Sequence, residues 1–337
     1  MKKQTLQGVL VGLCLAFSAA AQASSFSSLV FFGDSLSDSG NNAVLVGNGG
    51  TVAGGDAYFS KIPYASGRYS NGPVWSEQFA AKLGLSAKAS LLGGTNYAFG
   101  GAQTGVDGTD GPGGFPFSMK VQLNMFLDGF NGNPGHVVSG SELFVVAGGG
   151  NNVRDVLSNV SITPADAPQL IGAAAAAYAQ DIGGIVDALQ ARGAQHILVM
   201  DTPNFGLTPS ALSFGAEGST LGALVSASMN AALAARLAGE SGVMNFDFYA
   251  FLTNTVANAA SLGLTNVSNA CGQTPVICDP AASLFYDGIH PTTFGHTLLA
   301  DAVFAQAVPE PASYLLLGSG LLLLVWLRRQ RKAALTL

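Results

Sequence analysis

Leu29-Val30-Phe31-Phe32-Gly33-Asp34-Ser35-Leu36-Ser37-Asp38-Ser39-Gly40-Asn41 decides how this chain reads. An apolar run stops at a glycine, and a polar, turn-forming stretch follows with Ser35 in its midst. A short apolar run bounded by turn residues predicts a buried strand. Ser35 then emerges at the strand's carboxyl end, the edge of an open α/β sheet at which ligands bind. That placement suits a nucleophile, provided the rest of the chain supplies a base and an oxyanion site.

Working outward, Asn42 to Ser70 is rich in Gly, Ser and Ala without a persistent period, and reads as a long surface loop bordering a site. Pro73 suits the first turn of a helix that carries Trp75, Phe79, Ala80 and Leu83 on one face and ends at Gly84. Thr95 to Phe99, Glu142 to Ala147, His196 to Asp201 and Val243 to Tyr249 are further strands. Val121 to Phe130, Ala165 to Ala191, Leu221 to Leu237 and Phe294 to Phe304 are helices, and Gly105 to Gly114 is a second long loop. Strands alternating with helices predict a parallel sheet covered on both faces. No internal repeat or linker interrupts the body, so one domain is expected.

A serine hydroxyl attacks a carbonyl only with a base to take its proton and donors to hold the oxyanion. The chain has 4 histidines. His136 lies in a Gly/Pro loop with no acid close by in sequence, His196 opens a strand, and His296 sits among apolar neighbours in the last helix. His290 differs, because Asp287-Gly288-Ile289-His290-Pro291 places an acid three residues before it across a glycine. One turn brings that carboxylate back to the imidazole Nδ1, where it fixes the tautomer and stabilises the imidazolium. The alternative, Asp287 and His290 as metal ligands, lacks an evident third ligand. Gly101 and Asn151 each follow a predicted strand, as Ser35 does. The amides of Ser35 and Gly101 and the Asn151 side chain are therefore candidate oxyanion donors. There is no G-x-S-x-G elbow and no H-E-x-x-H.

The ends of the chain read differently from its body. Lys2 and Lys3, an apolar run from Val9 to Ala20, and Ala21-Gln22-Ala23 make residues 1–23 a secretory signal peptide, to be removed by signal peptidase. At the other end, Val308-Pro309-Glu310-Pro311 precedes an apolar run from Ala312 to Leu327 and then Arg328-Arg329-Gln330-Arg331-Lys332. That run falls just short of the usual membrane span of about 20 residues. With its basic flank it reads as a stop-transfer helix giving transient or lasting membrane attachment. The body from Ser24 to Pro309 holds 8 basic and 19 acidic residues, a net charge of −11. Such a surface argues against nucleic acid as a partner. Cys271 and Cys278 are the only cysteines in the body. Export favours a disulfide between them, worth about 2.5 kcal/mol on the chain-entropy model, with two buried thiols as the alternative.

The block from Phe32 to Asn41 resembles the first block of the GDSL family of SGNH hydrolases. Gly101 in Asn96-Tyr97-Ala98-Phe99-Gly100-Gly101-Ala102 is similar to its glycine block, Asn151 in Gly149-Gly150-Asn151-Asn152 to its asparagine block, and Asp287 to Pro291 to its last block. Gly67-Arg68-Tyr69-Ser70-Asn71-Gly72 and the paired cysteines further resemble the branch of secreted phospholipases, haemolysins and plant GDSL lipases. The resemblance implies a flavodoxin-like three-layer α/β/α sandwich with a five-stranded parallel sheet over residues 24–307. It implies an esterase or lipase with no metal or cofactor, acting through Ser35, His290 and Asp287 with Ser35, Gly101 and Asn151 as oxyanion hole. One departure stands out: Asn152 occupies a position where the family usually has Asp. Residues 308–332 resemble a PEP-CTERM sorting signal, which implies an exosortase-type processing enzyme as partner and a periplasmic, surface or extracellular destination. A non-catalytic surface or matrix protein that binds glycan on the same fold is the alternative. Short esters, phospholipid acyl chains and O-acetyl groups on polysaccharide all stay open as substrates.

Overall fold

A computed structural model describes residues 26–52, 62–130, 133–273 and 278–308, together with Gly320. Phe26–Phe304 forms one compact unit. The signal peptide and the carboxyl-terminal apolar run of the sequence reading lie outside the described residues. Among the described residues, no helix is long and apolar enough to cross a membrane.

The core is a parallel sheet of β1 (Leu29–Gly33), β2 (Leu143–Ala147), β3 (His196–Met200) and β4 (Val243–Phe246), in that spatial order. Leu29 pairs with Leu143, Leu143 with His196, and Ile197 with Val243. β1 and β2 are buried along their whole length, as expected of strands covered on both faces. Side chains alternate with the period of two. Val30, Phe32, Phe144, Val146, Ile197 and Val199 enter one cluster with helices α3 (Met119–Asp128), α4 (Gly150–Ile162), α5 (Ala167–Ala191) and α6 (Gly215–Arg236). Phe31 points the other way and meets Trp75 of α2 (Trp75–Lys82) edge-on at 5.8 Å.

The expected strand from Thr95 to Phe99 is reduced to isolated parallel bridges of Asn96 with Phe31 and with Ala89. Phe31 N–H donates to Thr95 O, Tyr97 N–H to Phe31 O and Phe99 N–H to Gly33 O, so the segment lies beside β1. The ladder is broken at Gly33, whose N–H donates to the Gln122 side chain rather than to Tyr97 O. Side-chain bonds of this kind compete with a ladder. β1 thus has the Asn96 segment on one side and β2 on the other, and the strand order reverses there, which creates the crevice of an open α/β sheet.

Other expectations shift. The stretch expected as a surface loop contains a short helix, α1 (Asn41–Val46), and fully buried Tyr64, Tyr69 and Ser70, while residues 53–61 lie outside the described set. α2 begins two residues after Pro73, with Glu77 Oε2 accepting from Val74 N at 3.2 Å. α4 was hidden by its glycine-rich start, although Val153, Val156 and Val160 fall at helical spacing and are buried. The polypeptide after β4 turns into α7 (Phe248–Ala257), capped by Asp247, and α8 (Thr293–Ala307) closes the unit. Cys271 and Cys278 are disulfide-bonded, with Cα atoms 5.5 Å apart.

Candidate active site

β1 ends at Gly33, which is clamped in both directions by one side chain. Gly33 N donates to Gln122 Oε1 and Gln122 Nε2 donates to Gly33 O, each at 2.8 Å. A Cβ at Gly33 would meet Ala147 O at 2.5 Å, so only glycine passes between β1 and β2 here. The chain then turns tightly, with Ser37 N and Asp38 N both donating to Asp34 O. Asp38 holds the turn from inside: Oδ1 accepts from Gly40 N and Asn41 N, and Oδ2 from Asn42 N and Gly100 N. The Gly100 bond ties the Ser35 loop to the Gly100-Gly101 turn. Asn42 adds a donation to Gly100 O at 2.9 Å.

Ser35, His290 and Asp287 come together across the whole chain. Ser35 Oγ lies 2.7 Å from His290 Nε2, and His290 Nδ1 lies 2.6 Å from Asp287 Oδ2. A carboxylate only accepts, so Nδ1 carries the hydrogen and Nε2 faces the hydroxyl with its lone pair. Asp287 Oδ1 accepts from the Ile289 and His290 amides, the one-turn return that the spacing predicts. All three residues are buried. Burial pushes the Asp287 carboxyl up, but the His290 charge and the hydrogen bonds from His290 and Ile289 outweigh it and hold the pKa below its ordinary value.

The Gly67–Gly72 block supports this loop. Tyr69 stacks on the His290 imidazole with centroids 5.2 Å apart. Ser70 Oγ donates to Pro291 O at 2.8 Å and Thr293 N to Asn71 Oδ1 at 2.8 Å. Gly100 is required beside it, because a Cβ there would meet the Tyr69 ring at 2.2 Å.

The proposed oxyanion donors emerge side by side. Gly33 pairs with Ala147, so Ser35 and Asn151 follow neighbouring strand ends. Gly101 takes a positive φ of 86° and Asn151 stands in the first turn of α4. Asn151 Nδ2 donates one of its two hydrogens to Ala102 O at 2.9 Å, which links it to the Gly101 turn. Gly101 and Asn151 line a common cleft of about 320 Å³.

The other histidines stand elsewhere. His136, expected to lack an acid, pairs with Glu142 at 2.8 Å, because a turn brings the residue before β2 back to it. His196 opens β3 and meets Phe26 edge-on at 5.5 Å, at the amino end of the sheet. His296 is fully buried in α8 without a hydrogen-bond partner among the described residues, and burial lowers its pKa to about 3, so it stays neutral. Sequence reading missed the Gln122 and Asp38 clamps and the Tyr69 stack. Asp38 was detectable as an acid within a turn, whereas Gln122 and Tyr69 carry no local signal.

A sequence profile of the GDSL-like Lipase/Acylhydrolase family matches residues 29–303, and one of the PEP-CTERM protein-sorting motif matches residues 307–332. The chain is similar to Esterase EstA of Pseudomonas aeruginosa, 28% identical over 88% of this chain and 50% of the relative. It is 30% identical to Lipase 1 of Photorhabdus luminescens over 60% of this chain and 26% of the relative. Acetylajmalan esterase 2 of Rauvolfia serpentina is 27% identical over 85% of this chain and 91% of the relative. The chain thus spans half or less of the length of the two bacterial relatives. With its matched blocks converging at one sheet edge, this chain belongs to the GDSL-like lipase/acylhydrolase family and carries a PEP-CTERM sorting motif at its carboxyl end.

Proposed function

We propose that the chain is an exported serine ester hydrolase. The observation that carries this reading is the 2.7 Å approach of Ser35 Oγ to His290 Nε2, with Asp287 2.6 Å from the opposite ring nitrogen. Ser35 Oγ attacks the acyl carbon while its proton passes to His290 Nε2. The oxyanion is held by the Ser35 and Gly101 amides and the Asn151 side chain. The tetrahedral intermediate expels the alcohol oxygen, which takes the proton back from His290. Water then attacks the acyl-serine with His290 again as base, releasing the acid and restoring the hydroxyl. Asp287 keeps the imidazole in the required tautomer and offsets its transient charge. The oxyanion donors are worth roughly 10²–10³ in rate each.

The domain plan of this reading is a signal peptide over 1–23, the hydrolase over 24–307 and the sorting signal over 308–332. The sorting motif supports export and exosortase-type processing, and the Cys271–Cys278 disulfide agrees with an oxidising compartment. A fluorophosphonate probe tests the chemistry. The wild-type protein becomes labelled and Ser35→Ala does not. A wild-type protein that is neither labelled nor active on p-nitrophenyl acetate overturns the reading.

A further inference from the structure

The cleft beside the Gly101–Asn151 pair has an unusual wall for an acyl hydrolase. One side is α4, in which Asn151, Arg154, Asp155 and Ser158 follow one another at helical spacing along a single face. The opposite face of the same helix is apolar, with Val153, Val156 and Val160 buried in the core. The polar stripe therefore runs outward from Asn151 for roughly 10 Å at 1.5 Å per residue. The facing wall is the Gly101–Asp110 loop, which contributes Gln103, Thr109 and Asp110. Apart from Pro116, no aliphatic or aromatic side chain among the described residues lines the cleft.

The loop wall is held in place. Gly108 N is bonded to Gly114 O and Pro116 O, Asp110 N to Phe115 O, and Asp107 Oδ1 accepts from Ser118 N. Phe115 and Phe117 pack with Phe99 and Met125 beneath it. A Cβ at Gly108 would meet Pro116 Cδ at 2.1 Å, so this close approach requires glycine. Phe115 and Phe117 anchor the segment, Val106 is exposed outside the cleft lining, and Gln103, Thr109 and Asp110 line the cleft.

Resting on the esterase reading, we propose that this cleft is the subsite for a hydroxylated alcohol, so that the substrates are O-acyl esters of carbohydrate rather than esters of apolar alcohols or lipid headgroups. A hydrocarbon tail in the cleft would displace water from amide, hydroxyl and charged groups without replacing their hydrogen bonds, which is unfavourable. A sugar offers a donor and an acceptor at each hydroxyl and satisfies such a wall. Natural acyl groups are hydrocarbon, so the hydroxylated half of the ester is the alcohol. Two carboxylates against one guanidinium also disfavour an anionic phosphate headgroup.

The test compares mono-O-acetylated cellobiose with octyl acetate, the same acyl group on an apolar alcohol, and with phosphatidylcholine vesicles, using p-nitrophenyl acetate as reference. The acetylated sugar is expected to exceed octyl acetate at least tenfold in kcat/KM. Its ratio to p-nitrophenyl acetate is expected to fall at least tenfold in Asp155→Ala, with thermal melting as the folding check. Calorimetric binding of partially acetylated cellobiose to Ser35→Ala, weakened tenfold or more by adding Asp155→Ala, tests the subsite without turnover. Preference for octyl acetate or vesicles, or binding indifferent to Asp155, overturns the inference. Sugar binding by a wild-type protein that hydrolyses no ester overturns the esterase reading and leaves the subsite standing.

Discussion

At the scale of single residues, the site depends on which atoms can accept. Asp287 uses Oδ1 for two backbone amides and Oδ2 for His290 Nδ1. Asp287→Asn leaves an acceptor for the amides but turns an NH2 group toward the ring. His290 then adopts the other tautomer, and Nε2 points a hydrogen at Ser35. The expected result is a fall in kcat of about 10⁴, with a melting temperature close to wild type. Steady-state hydrolysis of p-nitrophenyl acetate beside a thermal melt checks this, and a variant keeping a tenth of the activity contradicts it. Ser35, Asp287 and His290 were legible because each carries a local mark: an acid at i−3 and a strand end each leave a pattern in sequence. Tyr69 was quoted only within a block, since stacking on a ring more than two hundred residues away leaves no periodicity to read.

At the scale of elements, Asn152 explains how one departure from the family pattern is accommodated. Asn152 Oδ1 accepts from Thr104 N and its Nδ2 donates to Thr104 Oγ1, both at 3.1 Å. Thr104 Oγ1 in turn donates to Asp181 Oδ2 of α5 at 2.8 Å, and Lys120 of α3 pairs with Asp181. Helices α4 and α5 thus hold the loop that carries Gly101. The hydroxyl has one hydrogen, and Asp181 takes it. Asn152→Asp would set a second carboxylate against the same hydroxyl, losing one bond and adding repulsion. The expected cost is about 1–3 kcal/mol, seen as a melting temperature lower by several degrees and a reduced kcat. Adding Asp181→Asn is expected to recover part of the loss. A single variant as stable and active as wild type would show that Thr104 is held by other means. The sequence flagged Asn152 as anomalous but gave no sight of Asp181, because the pairing arises where two helices pack.

For the whole molecule, burial at the carboxyl edge of the sheet couples folding to protons. Burial pushes Asp34 up to about 6 against the Leu36 amide and the His290 charge, and pushes Asp201 up to about 7, with Asp247 adding to it. The folded protein therefore keeps protons that the unfolded chain releases, and stability declines as pH rises from about 4 to about 7. Asp287 acts the other way, but its depressed pKa matters only as pH falls below its unfolded value of 3.8. The melting temperature is thus expected to be higher near about pH 5 than near about pH 8. Asp201→Asn keeps an acceptor for the Phe248 and Tyr249 amides and should reduce that slope, leaving the part due to Asp34 and to Asp38, which burial also pushes up to about 6. A slope unchanged in the variant assigns the linkage elsewhere. The sequence by itself determined the class of fold, the ends of the strands that precede Ser35 and Asn151, and the residues that meet there, because alternation and turn chemistry are local and repeat at fixed spacing. Only the tertiary structure decided that the strand at Asn96 shrinks to isolated bridges, that Asp38 and Gln122 clamp the nucleophile's loop, and that the cleft beside Asn151 is polar. Those outcomes depend on which side chain wins each hydrogen bond between segments far apart in the chain, and no local pattern records that competition.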